Sequence, residues 1–222
     1  MPTPFDQSPY QVRLEWGAEG LARLAPADVV VSVDVLRFSS TVADVVAAGG
    51  EVELESARRW SSNGAAVALA GRDADGAPEV LLGGLRNAAA VAEAVRRIQE
   101  RRGARTSVSV IAAGERAPDG SLRFAVEDQL GAGAVVSALI DRGIDHASPE
   151  AAVAAESFSA LRRALRHLLS ASGSGRELQD GVESTARMAA AGIRPATTAE
   201  AAELDAVSVA PVLREGRFVR FS

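Results

Sequence analysis

Residues 29–34, VVVSVD, form a β-branched apolar run that ends on a carboxylate, the pattern of a strand buried on both faces. Residues 11–15, QVRLE, alternate like an edge or half-buried strand, and EVEL (51–54) and Val80-Leu81-Leu82 add short strands. SVSVIA (107–112) predicts another strand, and AVSVAPVL and RFVRF predict two more around the turn Arg214-Glu215-Gly216. Between them lie helical periods. Ser39-Ser40-Thr41 can cap a helix that runs to about Ala48 and stops at Gly49-Gly50. Ala88, Val91, Ala92, Val95 and Ile98 share one helical face, with Asn87 as cap and Gly103 as stop. Phe124 to Arg142 reads as a helix with Leu130, Ala134, Val135, Ala138 and Leu139 facing inward. Ser148-Pro149-Glu150 opens a helix expected to reach about Ser170, and SASGSG (170–175) then reads as a flexible loop. A last helix is expected over about 176–191, stopped by Gly192. The stretch from Ser56 to Gly76 gives only a turn signal at Ser61-Ser62-Asn63-Gly64 and a small apolar run.

Strands alternating with helices predict an α/β fold: three layers, α/β/α, around a largely parallel or mixed sheet. No stretch reads as a domain linker, so residues 1–222 are expected to form a single domain. Arg37-Phe38 followed by Ala47-Ala48-Gly49 has a faint echo in Arg123-Phe124 followed by Ala132-Gly133. Two similar halves, or coincidence in an Ala-rich chain, both account for that echo.

Composition narrows the chemistry. The chain has 222 residues, 47% of them apolar, enough for a real core. No apolar run approaches a membrane span, and MPTPFDQSPY lacks the basic-then-apolar pattern of a signal peptide, so a cytoplasmic location is expected. There is no Cys, which removes thiolate nucleophiles and Cys-ligated metals. Two histidines, His146 and His167, are too few for a multi-histidine metal site and read as surface residues. Every basic residue is Arg, so Schiff-base and Walker A lysine chemistry are excluded. A net charge of −5 argues against nucleic acid as a partner. Carboxylates, Arg, Asn, Ser and Thr remain, a set suited to a small anionic substrate, with or without a hard oxygen-bound cation such as magnesium.

In open parallel sheets, ligands bind beyond the carboxyl ends of strands. Asp34 stands at such an end, Arg37 follows, and Ser39, Ser40 and Thr41 bring hydroxyls and N–H groups at a helix start. An anion site is one reading; an Asp34–Arg37 pair beside an ordinary helix cap is the other. Glu127-Asp128 opens the helix after the 107–112 strand, where dipole compensation competes with a ligand role, and on a helix only one of the two can point at a ligand. Glu115 is a further candidate against plain loop solvation, Asn63-Gly64 against a plain turn, and Asn87 against a plain cap. Dehalogenase-type, Rossmann and nucleophile-elbow motifs are absent. Leu36 stands where the first needs a second Asp, and the Gly-rich stretches do not follow strands.

Taken in order along the chain, VVVSVDVLRFSST, SSNGAAVAL, LLGGLRNAAAVAEAV, SVSVIAAGER with FAVEDQLGAGAVVSAL, and SGSGREL resemble the 2-phosphosulfolactate phosphatases. That family comprises magnesium-dependent enzymes associated with coenzyme M biosynthesis. The resemblance implies a pocket gathering Asp34, Arg37, Asn63, Asn87, Glu127 and Asp128. It implies Asp34, Arg37 and Glu127 as catalytic residues, with Asp34 and Asp128 toward Mg2+. Arg37, Ser39, Ser40, Thr41, Asn63, Gly64 and Asn87 would hold the phosphate or sulfonate. Only ESARRW separates Leu54 from Ser61, where the family carries a longer loop. A non-catalytic member that binds a small anion or a protein partner is therefore the alternative. Neither a membrane nor a nucleic acid is expected as partner, and a homo-oligomer is left open.

Overall fold

The computed structural model describes residues 3–222. Its strands are β1 (Val12–Trp16), β2 (Val29–Val33), β3 (Val52–Glu53), β4 (Glu79–Gly83), β5 (Val108–Ala112), β6 (Glu115–Arg116), β7 (Leu122–Arg123), β8 (Pro211–Arg214) and β9 (Arg217–Arg220). Its helices are α1 (Gly17–Arg23), α2 (Phe38–Ala47), α3 (Leu54–Ala57), α4 (Gly64–Arg72), α5 (Ala88–Arg102), α6 (Val126–Ile140), α7 (Pro149–Leu161), α8 (Leu165–Ala171), α9 (Gly173–Asp180), α10 (Glu183–Ala190) and α11 (Thr198–Ala201).

Seven strands form one mixed sheet in the order β1-β5-β2-β4-β8-β9-β3. β1, β5, β2 and β4 run parallel, with Val31 opposite Val110 on one side and Leu81 on the other. β8, β9 and β3 complete the sheet in antiparallel pairs. β2 is central, and its alternating side chains serve two layers. Val29, Val31 and Val33 pack with residues of α5, α6 and α7, whereas Val30 packs against Leu21 of α1 and Val67 of α4. A third apolar cluster joins Phe38, Trp60 and Phe218 under α2 and the antiparallel edge. The two echoing segments are not placed alike: Arg37 stands at the start of α2 behind β2 of the seven-stranded sheet, whereas Arg123 ends β7 of the separate β6–β7 hairpin.

The chain leaves β4, crosses in α5, and returns as β5 on the far side of β2. The carboxyl end of β2 thus lies where the winding reverses, the place where open sheets leave a crevice.

Several boundaries differ from the sequence reading. α2 begins at Phe38, with Arg37 at the cap position and no side-chain cap. The Ser39 hydroxyl instead accepts the Asp34 N–H (2.8 Å), tying the helix back to the strand. Asn87 does not cap α5 through its side chain either. The helix expected from Pro149 to Ser170 is broken into α7, a 3-10 turn at Arg162–Ala164 and α8, with neither Gly nor Pro at the break. SASGSG is not a loop. Ser172 Oγ caps α9 by accepting Gly175 N–H (3.1 Å), and a Cβ on Gly175 would lie 2.0 Å from the Leu169 carbonyl oxygen. Here glycine permits close packing rather than mobility. The helix expected over 176–191 is interrupted at Gly181, whose φ is +89°. Residues 115–123 form the β6–β7 hairpin rather than an open loop. No helix of the described residues is long and apolar enough to cross a membrane.

Candidate active site

The carboxyl end of β2 opens into a cleft of about 240 Å³. Asp34, Arg37, Ser61, Asn63 and Glu115 line its floor and walls, with Trp60 and Phe38 as the apolar side. Ser174, Glu177 and Leu178 of α9 and Ser184 and Met188 of α10 close over it. A smaller pocket of about 180 Å³ shares Glu115, Ser174 and Glu177 with the cleft and adds Arg123 and Glu127.

Asp34 is held from three directions. Its Oδ1 accepts the Phe38 N–H at 3.2 Å; its Oδ2 accepts the Gly64 N–H at 3.0 Å and faces Ser61 Oγ at 3.5 Å. The first donor comes from the start of α2 and the second from the start of α4, so two helix N-termini converge on one carboxylate. Asp34 is only 8% exposed. Burial pushes its pKa up from 3.8 to about 6, with the two N–H donors opposing and the charges of Glu115 and Glu127 adding to the rise. A carboxyl in that range can hold or release a proton near neutrality.

Arg37 follows a cis Leu36–Arg37 peptide. Its Nη2 donates to Ser184 Oγ (3.3 Å) and Thr185 Oγ1 (2.5 Å) of α10. Burial lowers its pKa and Asp34 opposes that shift, yet a guanidinium stays protonated under any ordinary condition. Its hydrogen-bond partners among the described residues are neutral hydroxyls and none of its contacts there is an ion pair, so its N–H fork is not tied up by a carboxylate.

The other anticipated residues divide. Asn63 lines the cleft and donates from Nδ2 to Glu115 Oε1 (3.0 Å), fixing that carboxylate in place. The Gly64 N–H is aimed at Asp34 rather than at an outside anion. Ser39, Ser40 and Thr41 are buried and point away: Ser40 donates to the Val35 carbonyl (2.8 Å) and Thr41 accepts the Ala196 N–H (3.1 Å). Their hydroxyls shape the turn after β2 and anchor a distant loop. Asn87 lies outside the cleft, its amide donating to the carbonyls of Leu82 and Val209 and so joining β4 to the segment before β8.

The pair at the start of α6 also divides. Asp128 accepts the Val35 N–H at 2.8 Å on one oxygen and the Gly114 N–H at 2.9 Å on the other. It clamps the ends of β2 and β5 together. Burial, then the charges of Asp34 and Glu127, hold its carboxyl well above the usual range. Glu127 is 2% exposed, and its Oε2 has no hydrogen-bond partner among the described residues. Of the two, Asp128 is engaged and Glu127 is the one with a free oxygen.

Trp60, Ser174 and Glu177 are among the lining residues of the cleft that the sequence did not single out. Ser174 sits on the start of α9 that the composition reads as a loop, and Glu177 falls within the helix expected over 176–191. The Ser172 cap with Glu177 beyond it could have marked that start.

Asp34, Glu115 and Glu177 face Arg37 across the main cleft, so the site is net acidic if all ionise. A phosphate dianion entering it would meet more negative than positive charge unless a cation came with it. The donor set therefore fits a hard divalent cation. Among the described residues no three acidic or imidazole side chains stand close enough to cage one. Magnesium needs no such cage: it commonly uses one or two carboxylates, with water and substrate phosphate completing its shell.

No curated protein matches the chain. A family model for 2-phosphosulpholactate phosphatase matches residues 59–215, well over half of the sequence. The matched stretch contains Asn63, Glu115, Glu127 and the α9–α10 cover, and the unmatched β2–α2 segment supplies Asp34 and Arg37 to the same cleft. The chain belongs to the 2-phosphosulpholactate phosphatase family.

Proposed function

We propose that the protein is a magnesium-dependent phosphatase-like hydrolase of a small phosphorylated acid, sulfonated or not, such as 2-phosphosulfolactate. The observation that carries the reading is the convergence of Asp34, Arg37, Asn63 and Glu115 on one concave site at the end of the central strand. Family membership supports the reaction class.

In this reading Arg37 binds two phosphate oxygens through its fork of N–H donors. Asn63 and the Ser61 hydroxyl lie beside Asp34 and orient the ester. Asp34 takes a proton from water as the water oxygen bonds to phosphorus and the phosphorus–ester oxygen bond breaks; the departing alkoxide takes a proton from solvent, to which Asp34 returns its own. Glu127, with its free oxygen, and Asp34 are the groups that would hold Mg2+, and Glu115 stands next to them. When bound, the ion supplies neutralisation of phosphate charge. Residues of α9 and α10 form one wall of the cleft beside these groups.

The test is phosphate release from 2-phosphosulfolactate and a panel of phosphorylated hydroxy acids, with magnesium and with a chelator. Turnover that requires magnesium supports the reading; no turnover on any member of the panel contradicts it.

A further inference from the structure

A second cavity, about 390 Å³, lies on the other side of Asn63. Asn63 lines both spaces, so one side chain is the partition between them. The floor is small and apolar, built from Gly17 and Ala18 of α1, Ala66 of α4 and Ala113 after β5. Trp16 and the half-exposed Leu122 form its apolar sides. Trp16 is fixed by its contact with Phe124, the ring centroids 5.0 Å apart.

The charges differ from those of the phosphate cleft. Arg23 is paired with Glu15 at 3.2 Å. Arg116 has no carboxylate partner among the described residues; its Nη1 meets only the Gly120 carbonyl, at 3.3 Å. Glu19 is the one carboxylate on the lining. The cavity thus combines an aromatic wall, an apolar floor and one uncommitted guanidinium, features that suit an apolar body ending in an anion.

From these features we infer that this cavity is a subsite for the part of the substrate remote from the phosphate, and that it takes an aryl-sized apolar group bearing a carboxylate. The inference deepens the phosphatase reading and rests on it for the link between the two spaces. A three-carbon acid would fill only the first space. A longer phosphomonoester would lie over Asn63, with its phosphate at Arg37 and its carboxylate at Arg116.

The chain's two tryptophans make the test direct, because Trp60 borders the phosphate cleft and Trp16 borders the second cavity. In Trp60→Phe protein, emission reports Trp16 alone; in Trp16→Phe protein it reports Trp60 alone. Benzoate is the ligand for the second cavity, inorganic phosphate for the first, and 4-carboxyphenyl phosphate for both, each titrated in magnesium buffer, the ester on the Asp34→Asn background so that it is not hydrolysed. Benzoate should perturb Trp16 and leave Trp60 unchanged, and Arg116→Ala should weaken it about fivefold or more, as expected for loss of a charge-assisted contact. The bridging ester should perturb both tryptophans and bind more tightly than either fragment. Indifference of Trp16 to benzoate, unchanged benzoate affinity in Arg116→Ala, or an ester no tighter than its fragments overturns the inference. Failure of phosphate to perturb Trp60 counts against the phosphate cleft instead. Should either Trp variant fail to fold, the two indole N–H signals of the unmodified protein give the same readout by NMR.

Discussion

The Gly64 N–H donates to Asp34 Oδ2 over 3.0 Å, and a Cβ placed on Gly64 would stand 2.5 Å from that same oxygen. The close approach of α4 to the end of β2 therefore requires a residue without a side chain. A Cβ would also meet Phe38 at 2.7 Å, so neither neighbour offers room. Gly64→Ala should destabilise the fold by about 2 kcal/mol, as overpacking does, and should move the Asp34 carboxylate. Urea unfolding measures the first effect and phosphatase assay at saturating substrate the second. Unchanged stability and activity would mean that the two elements sit farther apart.

Asp128 is expected to behave as a structural residue. Its two oxygens join β2 to β5 through the N–H groups of Val35 and Gly114. Asp128→Ala leaves both donors buried without partners and should destabilise by roughly 2–5 kcal/mol. Glu127→Gln, by contrast, changes a side chain whose Oε2 bonds to nothing among the described residues. It should leave the unfolding midpoint near wild type while weakening magnesium activation. A stable Asp128→Ala protein, or magnesium dependence untouched in Glu127→Gln, would reverse these assignments.

Titration of Asp34 has a definite sign. Burial raises its folded pKa to about 6 from 3.8. The native state therefore holds this proton more tightly than the unfolded chain. The stability from that preference is fully present below about 3.8 and is lost as pH rises through about 6, a change on the order of 3 kcal/mol. Carbon NMR of the aspartate carboxyls should show one group titrating near 6. In Glu115→Gln the nearby charge is gone and that midpoint should fall. A midpoint that stays or rises would show that Glu115 does not act on Asp34.

Arg37 offers a fork rather than only a charge, and two hydroxyls of α10 hold it. Arg37→Lys keeps the charge but loses the paired donors, so inorganic phosphate should bind about tenfold more weakly. Calorimetry would detect the change. Equal affinity would place the phosphate elsewhere.

The central strands were legible because their physics is local. VVVSV alternates between two buried layers, and four adjacent β-branched or small residues suffice to identify it. The C-terminal hairpin was legible from Glu215-Gly216, both with positive φ, as the tight turn demands. The cover of the cleft was not. SGSG has a loop's composition, and its helix depends on a Ser172 cap and on Gly175 meeting the Leu169 carbonyl, a contact invisible from local pattern. The thin helix α11 carries a local signal, since Thr197 and Glu200 form a capping box within an Ala-rich stretch. Within the site, Asp34, Arg37 and Asn63 stood out as polar residues at element ends. The destination of each hydroxyl and amide did not, since Thr41 finds its partner at Ala196 and Asn87 at Val209, both far along the chain.

The most direct test compares kcat for magnesium-dependent phosphate release from 2-phosphosulfolactate in the unmodified protein and in Asp34→Asn. Asp34 is the group on which both helix starts converge, and its removal as an acid–base residue should reduce kcat by about a hundredfold or more while the protein remains folded by circular dichroism. Equal turnover in folded Asp34→Asn would contradict the account at its centre.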